Sequence, residues 1–229
     1  MNVPIVSKAH PDPATASQLL VARTETLDSH LAVFRKAKPH LPGRPASEVS
    51  WSEARAFCNW LTTLERANGT IQPTQRYRLP TDHEWSCAVG IGQWEDATSS
   101  PQSKNNRLPD RYPWGSQWPP PPGAGNLCGA ESRSVSPENY IAGYHDRNSS
   151  NRLRSPASKP NALGLYDLSG NLWEWCEDSF QGGTTDRVLR GGSWKSARQE
   201  TLLSSHRTFD PENYRSDSVG FRCVLGDEK

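Results

Sequence analysis

Residues Asn161 to Asp178 read NALGLYDLSGNLWEWCED, a stretch dense in Gly, Asn, Trp and carboxylates with no long periodic pattern. A segment of this kind is expected to be held by side-chain-to-backbone bonds, with or without a metal ion, rather than by a helix or a ladder. Tyr166, Leu168, Leu172, Trp173 and Trp175 supply apolar anchors, and Asp167, Asn171, Glu174, Glu177 and Asp178 supply oxygens. Two later pieces, Arg187 to Trp194 (RVLRGGSW) and Val219 to Leu225 (VGFRCVL), read as the strands that flank it.

The chain has 229 residues, enough for one sizeable domain with its own core. Its 26 basic and 25 acidic residues give no global field, so neither nucleic acid nor membrane is an expected partner. Hydrophobic content is only 34%, while Trp, Pro and Gly are plentiful, which points to short strands, long ordered loops and few helices. No apolar run is long enough to span a bilayer. The opening MNVPIVSKAHPDPATASQ lacks a basic region followed by an apolar run, so no signal peptide is expected and a cytoplasmic location is. Cys58, Cys87, Cys128, Cys176 and Cys223 are widely scattered and form no CxxC, so zinc is not expected and buried free thiols are.

In chain order, residues 1–18 read as a loose tail and residues 19–226 as the domain. Leu19 to Phe34 predicts a short strand and then a helix capped by Thr26 or Asp28, with Leu27, Leu31 and Phe34 facing inward. Lys36 to Pro45 is a basic, proline-rich loop. Val49 to Ala67 is the clearest helix: Ser50 and Glu53 match a capping box, and Ala54, Phe57, Cys58, Leu61 and Leu64 fall on one face. Tyr77-Arg78-Leu79 predicts a strand, Pro80 ends it, and Thr81 with Glu84 opens a second helix whose Trp85 and Ala88 pack inward. From Ile91 to Gly125 regular structure is scarce. RYPWGSQWPPPPGAGN there is either a polyproline ligand for another protein or a rigid loop whose Trp114 and Trp118 fold back onto the core. Asn126 to Asn161 is a second long loop.

VSWSEARAFCNWLT, YRLPTDHEWSCAVG, YPWGSQWP, NALGLYDLSGNLWEWCED, RVLRGGSW and VGFRCVL together, in that order, resemble the formylglycine-generating enzymes, also called sulfatase-modifying factors. The resemblance runs from about Val21 to Leu225. It implies an α+β, C-type lectin-like formylglycine-generating-enzyme fold with little regular secondary structure, two helices and small twisted antiparallel sheets. The family's opening strand, with its Phe-x-Met-Gly type signal, has no counterpart here.

Carried over position by position, the resemblance implies a structural Ca2+ held by the side chains of Asp167 and Glu174 and the carbonyls of Gly170 and Leu172. A second would use Asn126, the Leu127 carbonyl, Asp146 and the Asn148 carbonyl. Hard oxygen donors on a stiff loop suit calcium, although Asp and Asn also cap turns without any ion. The family's oxygen-activating copper site needs two cysteines shortly after Gly-Gly-Ser-aromatic. Those positions are Ser196 and Thr201 here, and hydroxyls are poor Cu(I) ligands. No copper and no cysteine-to-formylglycine conversion are therefore expected. The related sulfoxide synthases use iron on an added helical domain that is absent from this sequence. His10, His30, His40, His83, His145 and His206 form no metal-spaced group, and no GxSxG, P-loop or HExxH occurs.

In this fold Trp194 to Ser218 crosses the ligand-facing surface. Lys195, Gln199, Thr208, Phe209, Asp210, Tyr214, Ser216 and Asp217 are expected to face outward, and Arg198, Leu203 and Arg207 to serve the scaffold. Variable proteins of diversity-generating retroelements use the same scaffold and diversify this region. The expected function is a ligand- or protein-binding module, its partner an unidentified protein or small molecule. The alternative is an oxidoreductase or related enzyme, which would show a deep pocket lined by Trp194, Ser196, Thr201 and His206.

Overall fold

The computed structural model describes residues 45–146 and 158–227. The expected tail, the strand and helix of Leu19 to Phe34, nearly all of the Lys36 to Pro45 loop and Asn148 lie outside the described residues.

Helix α1 spans Trp51–Ala67 and opens on the expected capping box: Ser50 Oγ accepts from Glu53 N at 3.3 Å, and Ser50 N donates to the Glu53 carboxylate at 2.9 Å. Helix α2 spans Asp82–Ala88 and opens in the same way on Thr81 and Glu84. Each box satisfies donors that the first helical turn leaves without partners. A single further turn, α3, covers Pro101–Lys104. Strands β1 (Gln75–Arg78) and β6 (Val224–Asp227) pair antiparallel. Strands β2 (Trp173–Ser179), β3 (Asp186–Arg190), β4 (Thr208–Pro211) and β5 (Val219–Gly220) form a second sheet in the order β4-β3-β2-β5.

Two expectations change. The second half of the Asn161 to Asp178 stretch is a strand, β2, at the interior of the larger sheet, because WEWCEDS alternates between two buried faces. The VGFRCVL piece is not one strand: Val219–Gly220 runs parallel to β2, and Val224 onward crosses to pair with β1. The larger sheet is thus mixed rather than purely antiparallel.

That sheet has cover on both faces. Trp175 and Leu189 pack with Trp51, Phe57 and Leu61 of α1, while Cys176 and Val188 pack with Trp85 and Ala88 of α2. The buried indoles keep their hydrogen bonds: Trp175 Nε1 donates to Val49 O at 2.8 Å and Trp51 Nε1 to Cys176 O at 2.9 Å. A third cluster of Tyr112, Leu127, Ile141, Tyr144 and Leu202 anchors the long loops, and Trp114 and Trp118 pack against it. The proline-rich run therefore folds back, the second of the two readings.

Candidate functional site

The loop before β2 is clasped from two sides. Asn171 N donates to Asn126 O at 2.7 Å, Gly170 N to Gly191 O at 2.8 Å, and Trp194 N to Asn171 O at 3.0 Å. Asp167, Gly170 and Asn171 are left-handed, with φ of 58°, 70° and 61°. Gly170 is required, since a Cβ there would sit 2.2 Å from Asn126 O. Asp167 and Asn171 hold a conformation that costs non-glycine residues energy, so the surrounding bonds over-determine the loop.

Both carboxylates of the first expected calcium site already have partners. Asp167 Oδ1 accepts from Ser158 N at 2.9 Å. Glu174 accepts from Arg222 Nε at 2.7 Å, from Arg222 Nη2 at 2.5 Å and from Trp85 Nε1 at 2.9 Å. Arg222 Nη2 also reaches the carbonyls of Tyr166 and Asp167, at 3.1 and 3.2 Å. This guanidinium bridges Glu174 to the loop. A carboxylate offers roughly four acceptor positions, so three N–H bonds leave Glu174 able to take one more ligand. Ser169 Oγ, in the same turn, is buried and has no partner in the described structure. Arg222 is thus the cation seen on Glu174 and on two carbonyls of this loop.

In the second set, Asn126 is 2% exposed and Asp146 7% exposed. Asn126 Nδ2 donates to Asn171 Oδ1 at 3.0 Å, tying the two sets together. The Leu127 carbonyl accepts from Gly129 N at 2.9 Å, and Asn148 lies outside the described residues. Among the described residues no three His, Cys, Asp or Glu side chains gather to hold a metal. Any cation here must take backbone and amide oxygens as well, which favours calcium over zinc or copper.

The positions that the resemblance assigns to the family's thiol pair carry committed hydroxyls. Ser196 is buried, and its Oγ accepts from Ser193 N at 3.0 Å. Thr201 Oγ1 donates to Arg198 O at 2.8 Å. His206 stands against Trp173, with ring centroids 5.8 Å apart, and its Nδ1 meets Asn106 Oδ1 at 2.9 Å. Burial, then the nearby Arg190, pushes the imidazole down to about 4, so it is neutral at pH 7. A cavity of about 360 Å³ lies elsewhere, between Trp114, Pro121, Pro122, Lys159, Asn161 and Leu165, and none of Trp194, Ser196, Thr201 or His206 lines it.

Of the residues expected outward, Lys195, Gln199, Phe209, Tyr214 and Asp217 are exposed, and Thr208, Asp210 and Ser216 are half-buried. Trp194 is also half-buried. Lys195 lies 4.7 Å from the Trp194 ring centroid and pairs with Asp217 at 2.5 Å. Phe209 stacks on Phe180 with centroids 4.4 Å apart. Arg198, expected in the scaffold, is exposed, whereas Arg207 is buried.

Arg207 belongs to a charge cluster that sequence reasoning missed. Asp82, 1% exposed, binds Lys104 Nζ at 2.8 Å, Arg207 Nε at 3.0 Å and Arg190 Nη1 by a shorter contact. Arg207 also grips Glu95 at 2.5 and 2.6 Å. Burial alone would raise the Asp82 carboxyl, but Arg190, Arg207 and Lys104 outweigh it and hold the group well below the ordinary carboxylate range. Asp82 looks in sequence like any acid in a first helical turn, and its partners lie up to 125 residues away.

Residues 17–226 match the family described as FGE-sulfatase, the sulfatase-modifying factor enzyme 1-like domain, and the chain belongs to that family. It is 30% identical over 188 residues to inactive C-alpha-formylglycine-generating enzyme 2 of Bos taurus, covering 80% of this chain and 50% of that protein. It is 26% identical over 205 residues to the formylglycine-generating enzyme of Mus musculus, covering 81% of this chain and 45% of the relative. The chain thus spans about half the length of the curated relatives it matches. In fold it is similar to CarF, with a TM-score of 0.51 at 22% identity over 82% of this chain and 69% of that one. The α+β formylglycine-generating-enzyme fold expected from the sequence is therefore established.

Proposed function

We propose that this chain is a binding module of the sulfatase-modifying factor family that does not oxidise cysteine. One observation carries the reading: Ser196 and Thr201 stand where the family's copper-binding thiols belong, and both hydroxyls are engaged with the backbone. Two hard hydroxyls cannot replace two soft thiolates for Cu(I). The similarity to a relative called inactive supports it further. Recognition is assigned to the Trp194 to Asp217 segment, where the exposed aromatics Phe209 and Tyr214 stand among short polar side chains. Its partner is a protein or small molecule, and the segment is of the kind that a diversity-generating retroelement would vary. The test is Cu(I) titration against a chromogenic chelator, together with turnover of a sulfatase-type cysteine peptide. Neither tight copper binding nor aldehyde formation is expected, and either one overturns the proposal.

Calcium is proposed as the structural cofactor of the Asp167 to Glu174 loop, held by Asp167, Glu174 and the carbonyls of Gly170 and Leu172. Support comes from the left-handed turns at Asp167 and Asn171 and from the unpaired Ser169 hydroxyl. Bound calcium supplies positive charge to the loop, and Arg222 continues to orient Glu174. Thermal unfolding with a chelator, then with calcium restored, tests it: a melting temperature that ignores both leaves Arg222 as the loop's only cation.

A further inference from the structure

The cavity of about 360 Å³ beside Trp114 has a buried floor and an open rim. Leu165 and Leu168 close the floor, while Pro122, Lys159 and Pro160 stand exposed at the rim. Its volume lies at the small end of the range for small-molecule sites, roughly 300–1,000 Å³. The walls are mostly rings, from Trp114, Pro113, Pro121, Pro122 and Pro160. They are fixed before any ligand arrives. Trp114 stacks on Tyr112 with centroids 5.0 Å apart and planes 4° from parallel, and its Nε1 donates to Gln117 O at 2.9 Å. Lys159 N donates to Gly123 O at 3.0 Å and Ala124 N to Pro121 O at 3.1 Å, which ties the Lys159 wall to the proline wall.

Most polar groups of the lining are already spent. Asn161 Nδ2 donates to Ala88 O at 2.7 Å, and its Oδ1 accepts from Leu163 N and Leu165 N at 3.0 Å each. Ser158 exchanges two bonds with Asp167, at 2.6 and 2.9 Å. Ser169 keeps its hydroxyl buried beneath the floor, with the oxygens of the loop. Lys159 differs: its ammonium has no ion-pair partner among the described residues. Its stem lies along Gly123, where a Cβ would come 3.2 Å from both Cγ and Cε. Among the described residues no Asp or Glu lines the cavity.

We infer that this cavity binds a small carboxylic acid built on one aromatic ring, with the ring between Trp114 and the prolines and the carboxylate on Lys159. Rigid, flat, apolar walls favour a ring over a flexible chain, because a ring gives up few torsions on binding and packs on an indole face. The charge at the rim chooses the head group. A carboxylate gives the unpaired ammonium its partner, an alcohol gives it only a neutral acceptor, and an amine is repelled. The site is separate from the Trp194 to Asp217 segment, none of whose residues lines it.

The test titrates the full chain at low salt with phenylacetate, 2-phenylethanol and 2-phenylethylamine, by calorimetry and by NMR. Phenylacetate is expected to bind one site with Kd below about 1 mM, the alcohol more weakly, and the amine at least about tenfold more weakly than the acid. Overhauser contacts should run from the phenylacetate ring protons to the Trp114 indole and the Leu165 methyls. Lys159→Met keeps the stem and removes the charge. It should weaken phenylacetate by at least about threefold, leave 2-phenylethanol within about twofold, and leave the ligand-free melting temperature unchanged, since the Lys159 side chain is exposed and unpaired. No saturable binding of phenylacetate up to about 10 mM overturns the inference. So do ring contacts to residues outside the cavity, equal affinity for the three probes, or a phenylacetate affinity that Lys159→Met does not change.

Discussion

Asp82 and Asp217 each hold a lysine ammonium, at 2.8 and 2.5 Å, yet the Asp82–Lys104 side chains are 1% and 7% exposed while those of Asp217–Lys195 are 54% and 47% exposed. The interior pair is one edge of a network that also takes in Arg190, Arg207 and Glu95, and so joins α2, α3, β3 and the segment before β4. The outer pair joins two loops of the proposed recognition segment and little else. Removing one member of the inner set strands charge in a medium that cannot solvate it. Removing one of the outer pair only returns the other to water. The fold thus separates a part that cannot vary from a part that can, which suits a scaffold that displays a binding surface.

The largest effect should come from breaking the inner set. Asp82→Ala leaves Lys104, Arg190 and Arg207 facing one another with Glu95 and Asp178 as the nearby carboxylates, and a loss of about 3–5 kcal/mol is expected in urea unfolding. A loss below about 1 kcal/mol would mean that the cluster relaxes into solvent and that the contrast with Asp217 is false. Next is Glu174→Gln, which keeps the shape but uncouples Arg222 from the loop, at an expected cost of about 2–4 kcal/mol. If the calcium proposal holds, chelator lowers the melting temperature of the wild type and leaves Glu174→Gln unmoved.

These two sites also divide what was legible in the sequence from what was not. Both capping boxes, Ser50 with Glu53 and Thr81 with Glu84, were readable because a helix start is written within four residues. Ala54, Phe57, Cys58 and Leu61 were readable as a core face because helical spacing exposes it, and they are buried. Leu64, one turn further on, is only half-buried. Glu174 was visible inside its motif, but its partner Arg222 lies 48 residues further on. Arg190, the cross-strand neighbour of Glu174 on the same face of the sheet, turned instead to Asp82. The Asp82 set could not be seen at all, since its five members are scattered from position 82 to position 207 and carry no common spacing. Burial of Ser196 was equally hidden: next to exposed Lys195, only the turn back to Ser193 takes it inside.

Acid should probe the inner set and its neighbour His206 in separate stages. His206 is depressed from 6.5 to about 4 by burial, so between those values the unfolded chain binds a proton that the folded chain refuses. Stability therefore falls as pH drops from about 6.5 to about 4, by at most about 3 kcal/mol. His206→Gln should flatten that stretch of the stability–pH curve. Asp82 has the opposite character: its carboxyl stays ionised below the ordinary range, so its contribution is complete above about pH 4 and fades only below it. Unfolding measured from pH 7 to pH 3 should show both stages in the wild type and only the lower one in His206→Gln. An unchanged slope between pH 6.5 and 4 in that variant would assign the upper stage to another group.

The smallest effect should come from the outer pair. Lys195→Ala and Asp217→Ala each remove a contact between half-exposed side chains whose partner water can replace. Changes within about 0.5 kcal/mol are expected, shrinking further at high salt. The Lys195 stem and its ammonium also lie near Trp194, so Lys195→Ala should cost slightly more than Asp217→Ala. A double-mutant cycle isolates the ion pair from that ring contact. If the coupling exceeds about 1 kcal/mol, the pair is a structural tie between the Trp194 and Tyr214 loops, and the surface proposed to vary is fixed there. If it does not, Lys195 and Asp217 are free to change, and substitutions at Phe209 and Tyr214 on the same segment should alter binding without moving the melting temperature.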